Sequence, residues 1–297
     1  MKVGIDSYCY HRYFGEVYAN QKKPAKSMSY GDFLKRAVEL KVDGVSMETC
    51  FLESLDESYL KGLKEIIDRG NLEVVVAWGH PLGFEGGKKP EAAEDLRRHF
   101  RTCHALGAKV MRVVGSSLDY RNDPHGPQIE RLTKIFKECS KMAADEGVKL
   151  ADENHFDFTV DEYLGLIEAV GSPSFGLCFD TGNCLRNGDD PVASARRLGT
   201  RVFATHTKDV AAQYGWDPKD WMFFATVPVG QGIIDFPGLV GELEKTGYNG
   251  LYAVELDYMD PVYKDEDSAV KASIAYLKKL QKTWPRRAPN PRGTAAM

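Results

Sequence analysis

Short apolar runs alternate with longer stretches of helical period along this chain, and the alternation can be followed through eight rounds. The predicted strands are residues 3–7, 44–48, 72–78, 109–114, 148–153, 175–180, 202–206 and 251–255. Each is short, rich in β-branched residues and apolar on both faces, which is the pattern of a strand covered on both sides. Between them the spacing predicts helices over 30–40, 57–68, 91–106, 128–146, 160–170, 191–198, 236–245 and 268–282. In the second of these, Leu60, Leu63, Ile66 and Ile67 mark one apolar face. Gly44, Gly107, Gly147, Gly199 and Gly247 stand shortly before strands, as helix-to-strand turns require. Eight strand-then-helix units predict an α/β fold, a closed (β/α)8 or TIM barrel forming a single domain over 1–283. An open doubly wound sheet is the alternative, and the lack of a glycine-rich phosphate turn after the first strand disfavours it.

Two strand-to-helix connections exceed the usual ~2–6 residues. Residues 8–28 carry Tyr8, Tyr10, His11, Tyr13, Phe14 and Tyr18, and residues 208–234 carry Tyr214, Trp216, Trp221, Phe223 and Phe224. Both leave the strand ends where barrel enzymes keep their active sites, so they are expected to act as lids, with a subunit contact as the alternative. Residues 284–297, with Pro285, Pro289, Pro291 and three arginines, lack periodicity and are expected to form an irregular tail that could dock on a partner subunit.

Composition narrows the function class. A formal charge of −4 without a basic block argues against nucleic acid. No apolar stretch approaches the ~18 residues of a membrane span, so no membrane partner is expected and the cytoplasm is the expected location. The six cysteines (Cys9, Cys50, Cys103, Cys139, Cys178, Cys184) lack metal-finger spacing, and most of them read as core residues.

The candidate chemistry lies at strand ends. Glu153, Asp180, His206 and Glu255 each terminate one of the last four apolar runs, and neighbouring strands of a barrel bring such ends together. Three carboxylates in one ring repel unless a cation neutralises them. One imidazole and three carboxylates suit a divalent ion such as manganese, magnesium, cobalt or zinc.

The stretches 153–159, 179–183, 206–209, 229–236 and 247–255 (ENHFDFT, FDTGN, HTKD, VGQGIIDF and GYNGLYAVE) resemble the sugar phosphate isomerase/epimerase group of xylose isomerase-like barrels. The resemblance implies that Glu153, Asp180, His206 and Glu255 hold one divalent metal, manganese first, and that Glu153 and Glu255 double as acid/base groups. It implies an isomerase or epimerase acting on a sugar or keto-sugar through a metal-stabilised enediolate. A lyase of the same fold, releasing the aglycone of a 3-keto-glycoside or dehydrating an inosose-like polyol, is the second reading. His155, two residues after Glu153, is a further acid/base candidate. Glu48, His80, Lys208, Asn183 and Trp216 are candidates for touching substrate, and Asn183 and Asp209 for orienting ligands. Thr159, Asn183 and Ala212 stand where the ketohexose 3-epimerase branch has acidic, histidine and arginine residues. The expected partner is a small sugar or glycoside, with a homo-oligomer expected and a hetero-subunit as the alternative. An abasic-site endonuclease would need more histidines than the seven present, and a non-catalytic sugar-binding barrel is the remaining alternative.

Overall fold

The computed structural model describes residues 1–283; the expected tail at 284–297 lies outside the described residues. Its strands are β1 (Lys2–Asp6), β2 (Gly44–Glu48), β3 (Glu73–Ala77), β4 (Val110–Val113), β5 (Lys149–Glu153), β6 (Phe175–Asp180), β7 (Val202–Thr207), β8 (Asp209–Ala212), β9 (Phe224–Val227) and β10 (Leu251–Val254). Eight of them close into a parallel barrel in the ring order β1-β10-β7-β6-β5-β4-β3-β2. The predicted (β/α)8 architecture is therefore the observed one.

Side chains alternate across the barrel wall, and the two sets meet different needs. Outward residues such as Val3, Ile5, Val45, Met47, Val74 and Val76 join the helices in one continuous core. Inward, Val75, Ala151, Cys178, Ala204, Leu251 and Ala253 form a separate small plug. Four of these lie two residues before Glu153, Asp180, His206 and Glu255, so the same alternation that fills the barrel with small side chains turns the polar quartet inward above them. Close approach explains Gly44: a Cβ there would lie 2.4 Å from the Glu73 carbonyl oxygen.

Ten helices surround the barrel among the described residues: α1 (His11–Phe14), α2 (Tyr30–Glu39), α3 (Glu57–Gly70), α4 (Ala92–Leu106), α5 (His125–Asp145), α6 (Val160–Val170), α7 (Thr181–Arg186), α8 (Pro191–Leu198), α9 (Phe236–Lys245) and α10 (Glu266–Thr283). Capping boxes at Ser29/Asp32 and Thr159/Glu162 start α2 and α6, and Gly107 closes α4 at φ 80°. Periodicity did not anticipate α7. It is nucleated by the side chain of Asp180, whose Oδ1 accepts from the Asn183 N–H at 2.7 Å.

The two long connections contain regular structure that their sequences did not suggest. The first turns at once through a short 3-10 segment, Ser7–Tyr10, into α1. The second holds the antiparallel hairpin β8/β9. Both lie over the barrel mouth and touch each other: the Tyr18 and Trp221 rings are 5.4 Å apart, and Asn20 Nδ2 lies 3.4 Å from Met222 Sδ.

Candidate active site

Glu153, Asp180, His206 and Glu255 converge at the C-terminal mouth, all buried, with one donor atom from each within 4.8 Å of the others. Backbone ties set their spacing. Asn154 bridges the ends of β5 and β6, its Nδ2 donating to the Asp180 carbonyl and its Oδ1 accepting from the Asp180 N–H, both at 2.8 Å. Tyr163 Oη donates to the Glu153 carbonyl at 2.9 Å, and Thr181 Oγ1 joins the ends of β6 and β7 by donating to the Lys208 carbonyl at 2.7 Å. Asp180 spends Oδ1 on the α7 cap, leaving Oδ2 for the centre.

His206 Nδ1 faces the quartet, 2.9 Å from Glu153 Oε1, 3.4 Å from Glu255 Oε2 and 3.9 Å from Asp180 Oδ2. Its Nε2 points the other way, 3.5 Å from Asp6 Oδ2, the carboxylate-behind-histidine arrangement that orients metal-ligating imidazoles. Glu153 Oε2, Asp180 Oδ2 and Glu255 Oε2 are buried and make no well-formed hydrogen bond; their neighbours are the charged ends of Arg112 and Lys208 and the imidazole of His155. Three buried carboxylates this close repel one another, and a cation among them removes that cost.

The electrostatics show the same demand. Burial works against charge on His206, yet the acidic groups around it, Glu153 and Glu255 among them, hold its proton far above the usual histidine range. Burial raises the Glu255 carboxyl, and His206 and Lys208 only partly oppose this. Burial would also raise Glu153, but His155, His206 and Arg112 hold it well below its ordinary range. Burial pushes His155 itself down to about 3, so at neutral pH the charges acting on Glu153 are those of His206 and Arg112.

Three cations brace this ring. Arg112, 2% exposed inside the barrel, contacts Glu48 and places Nε 3.1 Å from Glu153 Oε2. Lys208 is buried, with Nζ 2.7 Å from Glu255 Oε2, 2.9 Å from Asp180 Oδ2 and 3.0 Å from Asp257 Oδ2. Arg186 grips Asp257, its Nη1 2.5 Å from Oδ2 and Nη2 3.0 Å from Oδ1. Its guanidinium lies 5.7 Å from the Phe156 ring centre and 5.6 Å from that of Trp221.

A cavity of about 360 Å³ opens above the quartet. The candidates Glu48, His80, His155, Asn183 and Lys208 all border it, together with Glu153 and Glu255. His155 Nε2 lies 3.4 Å from Glu153 Oε2. Asn183 is held in place, its Oδ1 accepting from Arg186 Nη1 at 3.0 Å. Trp216 is not on this wall; it packs toward Tyr258, and Trp221 borders the cavity instead. Asp209 does not reach the quartet's ligand atoms either. Its carboxylate accepts from the backbone N–H groups of Val210, Gly230, Gly232 and Ile234 and so pins the segment after β9. A larger hollow of about 840 Å³ sits at the opposite mouth among Gly107, Gly147, Gly199 and Gly247 and is remote from the quartet.

Several residues of the site escaped the sequence reading. Asp257 follows Glu255 by two, the spacing that flagged His155 and Lys208, and Asp6 ends β1 as the quartet residues end theirs. Both signals were available. Arg112 is one polar letter among valines, and Glu16, Tyr8 and Tyr18 reach the cavity only through the course of the first loop.

Relatives of known name carry this picture further. An inosose dehydratase of Lacticaseibacillus casei is 30% identical over 225 residues, covering 68% of this chain and 74% of that one. The L-ribulose-5-phosphate 3-epimerase UlaE of Escherichia coli is 26% identical over 252 residues, covering 82% and 83%. A xylose isomerase domain protein from Alicyclobacillus acidocaldarius superposes with a TM-score of 0.71 at 18% identity, over 94% of this chain and 98% of that one, and shows the shared fold. The family model described as xylose isomerase-like TIM barrel matches residues 34–280, a span holding all four quartet residues and the barrel from β2 to β10, and the chain belongs to that family.

Proposed function

We propose that this chain removes the proton beside the carbonyl of an unphosphorylated keto-sugar or keto-polyol in a divalent-metal-dependent reaction, followed by reprotonation or elimination. The observation that carries this reading is the quartet itself, four buried ligand atoms within 4.8 Å of one another at the floor of a sugar-sized cavity. A divalent ion held by Glu153, Asp180, His206 and Glu255, manganese being our first choice, would draw electron density from the carbonyl and adjacent hydroxyl and acidify the α-hydrogen.

The chain's own groups do the rest. Glu153 and Glu255 stand on strands separated by β6 and β7, so they border the bound sugar from two sides. One can take the α-proton while the other returns a proton to the opposite face or to the neighbouring oxygen. His155, neutral beside Glu153, is placed to relay that proton. Arg112 and Lys208, on the same cavity wall, hold the two glutamates by ion pairs. Among the described residues the arginine and lysine side chains on the cavity wall, Arg112 and Lys208, are already matched to carboxylates, and this supports a substrate without a phosphate.

Likeness to proteins named inosose dehydratase supports elimination, and likeness to an L-ribulose-5-phosphate 3-epimerase supports reprotonation. Both outcomes require the same first step. Incubating the chain with Mn²⁺ and 2-keto-myo-inositol or a ketopentose in D2O tests it: deuterium should enter the α-position, and Glu153→Gln or chelation should stop the exchange. Absence of exchange into every keto-polyol tried overturns the proposal.

A further inference from the structure

The half of the mouth that faces the quartet carries a second ionisable assembly. The quartet stands on β5, β6, β7 and the end of β10, whereas His80 follows β3 and Glu16 follows β1. His80 Nε2 lies 2.8 and 2.9 Å from the two carboxylate oxygens of Glu16. A carboxylate only accepts, so Nε2 carries the hydrogen and Nδ1, which has no hydrogen-bond partner among the described residues, is left for proton transfer. Tyr8 Oη donates to Glu16 Oε1 at 2.6 Å, and Tyr18 Oη lies 2.8 Å from Tyr8 Oη. The Tyr8 ring stands edge-on to His80 at 5.0 Å, fixing the imidazole plane. Tyr8, Glu16, Tyr18 and His80 all border the same cavity as the quartet. Burial would raise the Glu16 carboxyl, but its hydrogen bonds from His80 and Tyr8 hold it below the ordinary range, so it stays ionised at neutral pH.

An imidazole with one nitrogen fixed by a carboxylate and the other open to a cavity is the arrangement that enzymes use for general acid–base transfer. Epimerisation and isomerisation need acid/base groups only near the carbon that loses its proton, where Glu153 and Glu255 already stand. Elimination also needs a donor to the departing oxygen.

We propose that His80, oriented by Glu16, protonates the leaving oxygen, so that this chain is a lyase acting on β-hydroxy or β-alkoxy ketones of the polyol class. The inference rests on the proposed α-proton removal. In the step, a glutamate takes the α-hydrogen and the electron pair of that C–H bond forms a C=C bond. The β-C–O bond breaks and its electron pair leaves with oxygen, which takes the proton of the His80 imidazolium. Products are an enone and water or an alcohol; the glutamate's proton and the vacancy on His80 then equilibrate with solvent. Glu16 is a positioning residue.

The test measures two rates on one sample: α-deuterium exchange and loss of the leaving group from 2-keto-myo-inositol or a methyl 3-ketoglucoside, with Mn²⁺ in D2O. His80→Gln should lower the ratio of elimination to exchange by about 10²-fold, within the range of a lost general acid. Glu16→Gln should lower the same ratio with KM within about threefold of wild type, Glu16→Asp should recover part of it, and the double variant should be no worse than His80→Gln alone. In the chelated protein, ¹⁵N spectra should show His80 protonated at Nε2 and mixed tautomers in Glu16→Gln. A ratio that falls less than tenfold in His80→Gln, with both rates reduced together, would mean that the pair only latches the first loop, and the inference fails. Exchange without elimination by the wild type also overturns it while leaving the proposed α-proton removal standing. No exchange by the wild type overturns both.

Discussion

Replacing Arg112 by methionine should destabilise the metal-free chain by about 3–5 kcal/mol, the usual cost of stranding a buried carboxylate by removing its partner. Arg112 is 2% exposed, and its guanidinium contacts Glu48, 1% exposed, and Glu153, also 1% exposed. Glu153 keeps His206, whereas Glu48 loses its only ionic partner among the described residues and already has one oxygen without a hydrogen bond. Methionine fills much of the volume, so the loss is mainly electrostatic. At about 2.1 cal/mol/K per residue, a chain of this length unfolds with an entropy of about 0.6 kcal/mol/K, and the cost becomes a fall in Tm of about 5–8 °C. Urea titration followed by circular dichroism in the presence of chelator measures it. Adding Glu48→Gln should return at least about 1 kcal/mol, because the stranded charge is gone. A single variant within 1 kcal/mol of wild type, or a double variant no more stable than the single, would refute the view that Arg112 neutralises the barrel interior.

Three further outcomes are expected. Lys208→Met leaves Asp180, Glu255 and Asp257 facing one another, so the metal-free chain should lose about 3–5 kcal/mol and the rise in Tm on adding Mn²⁺ should exceed that of wild type; an equal or smaller rise contradicts the charge argument. Asp209→Ala removes an acceptor shared by four backbone N–H groups and should cost about 2–4 kcal/mol while metal Kd, measured by calorimetry, stays within about twofold; a tenfold loss of affinity would restore Asp209 to the metal site. Burial would raise Asp267, but hydrogen bonds from Arg36, Lys271 and Tyr10 hold it down to about 2. Its folded value lies below its unfolded one, so its stabilisation is present above about pH 4 and is lost as pH falls toward 2. Since the pair is partly in water, Asp267→Asn should cost about 1 kcal/mol at pH 7, with the difference narrowing across that window in urea titrations; a difference independent of pH would contradict the assignment.

What could be seen in the sequence, and what could not, follows from how each feature is encoded. Barrel strands are apolar on both faces and end at a polar residue, so local pattern alone marks both the strand and the residue at the mouth; Glu153, Asp180, His206 and Glu255 were found in that way. Two-residue spacing then adds inward neighbours, as for Lys208 and His155, and applied once more it would have found Asp257. Arg112 violates the pattern of its own strand and becomes intelligible only when Glu48 and Glu153 appear across the barrel. Aromatic loops have no period. Nothing local distinguishes Trp216 from Trp221, and which ring faces the cavity is decided by the hairpin that carries them. The Glu16–His80 pair joins two loops 64 positions apart and has no local signal.

The quartet is the centre of the account, and equilibrium binding of Mn²⁺ to the purified chain, followed by electron paramagnetic resonance, tests it most directly. Wild type should bind one tight ion per chain, and Asp180→Asn or His206→Asn should each weaken that binding at least tenfold while circular dichroism reports an intact fold. An unsaturable signal in the wild type, or variants that bind as tightly as the parent, would contradict it.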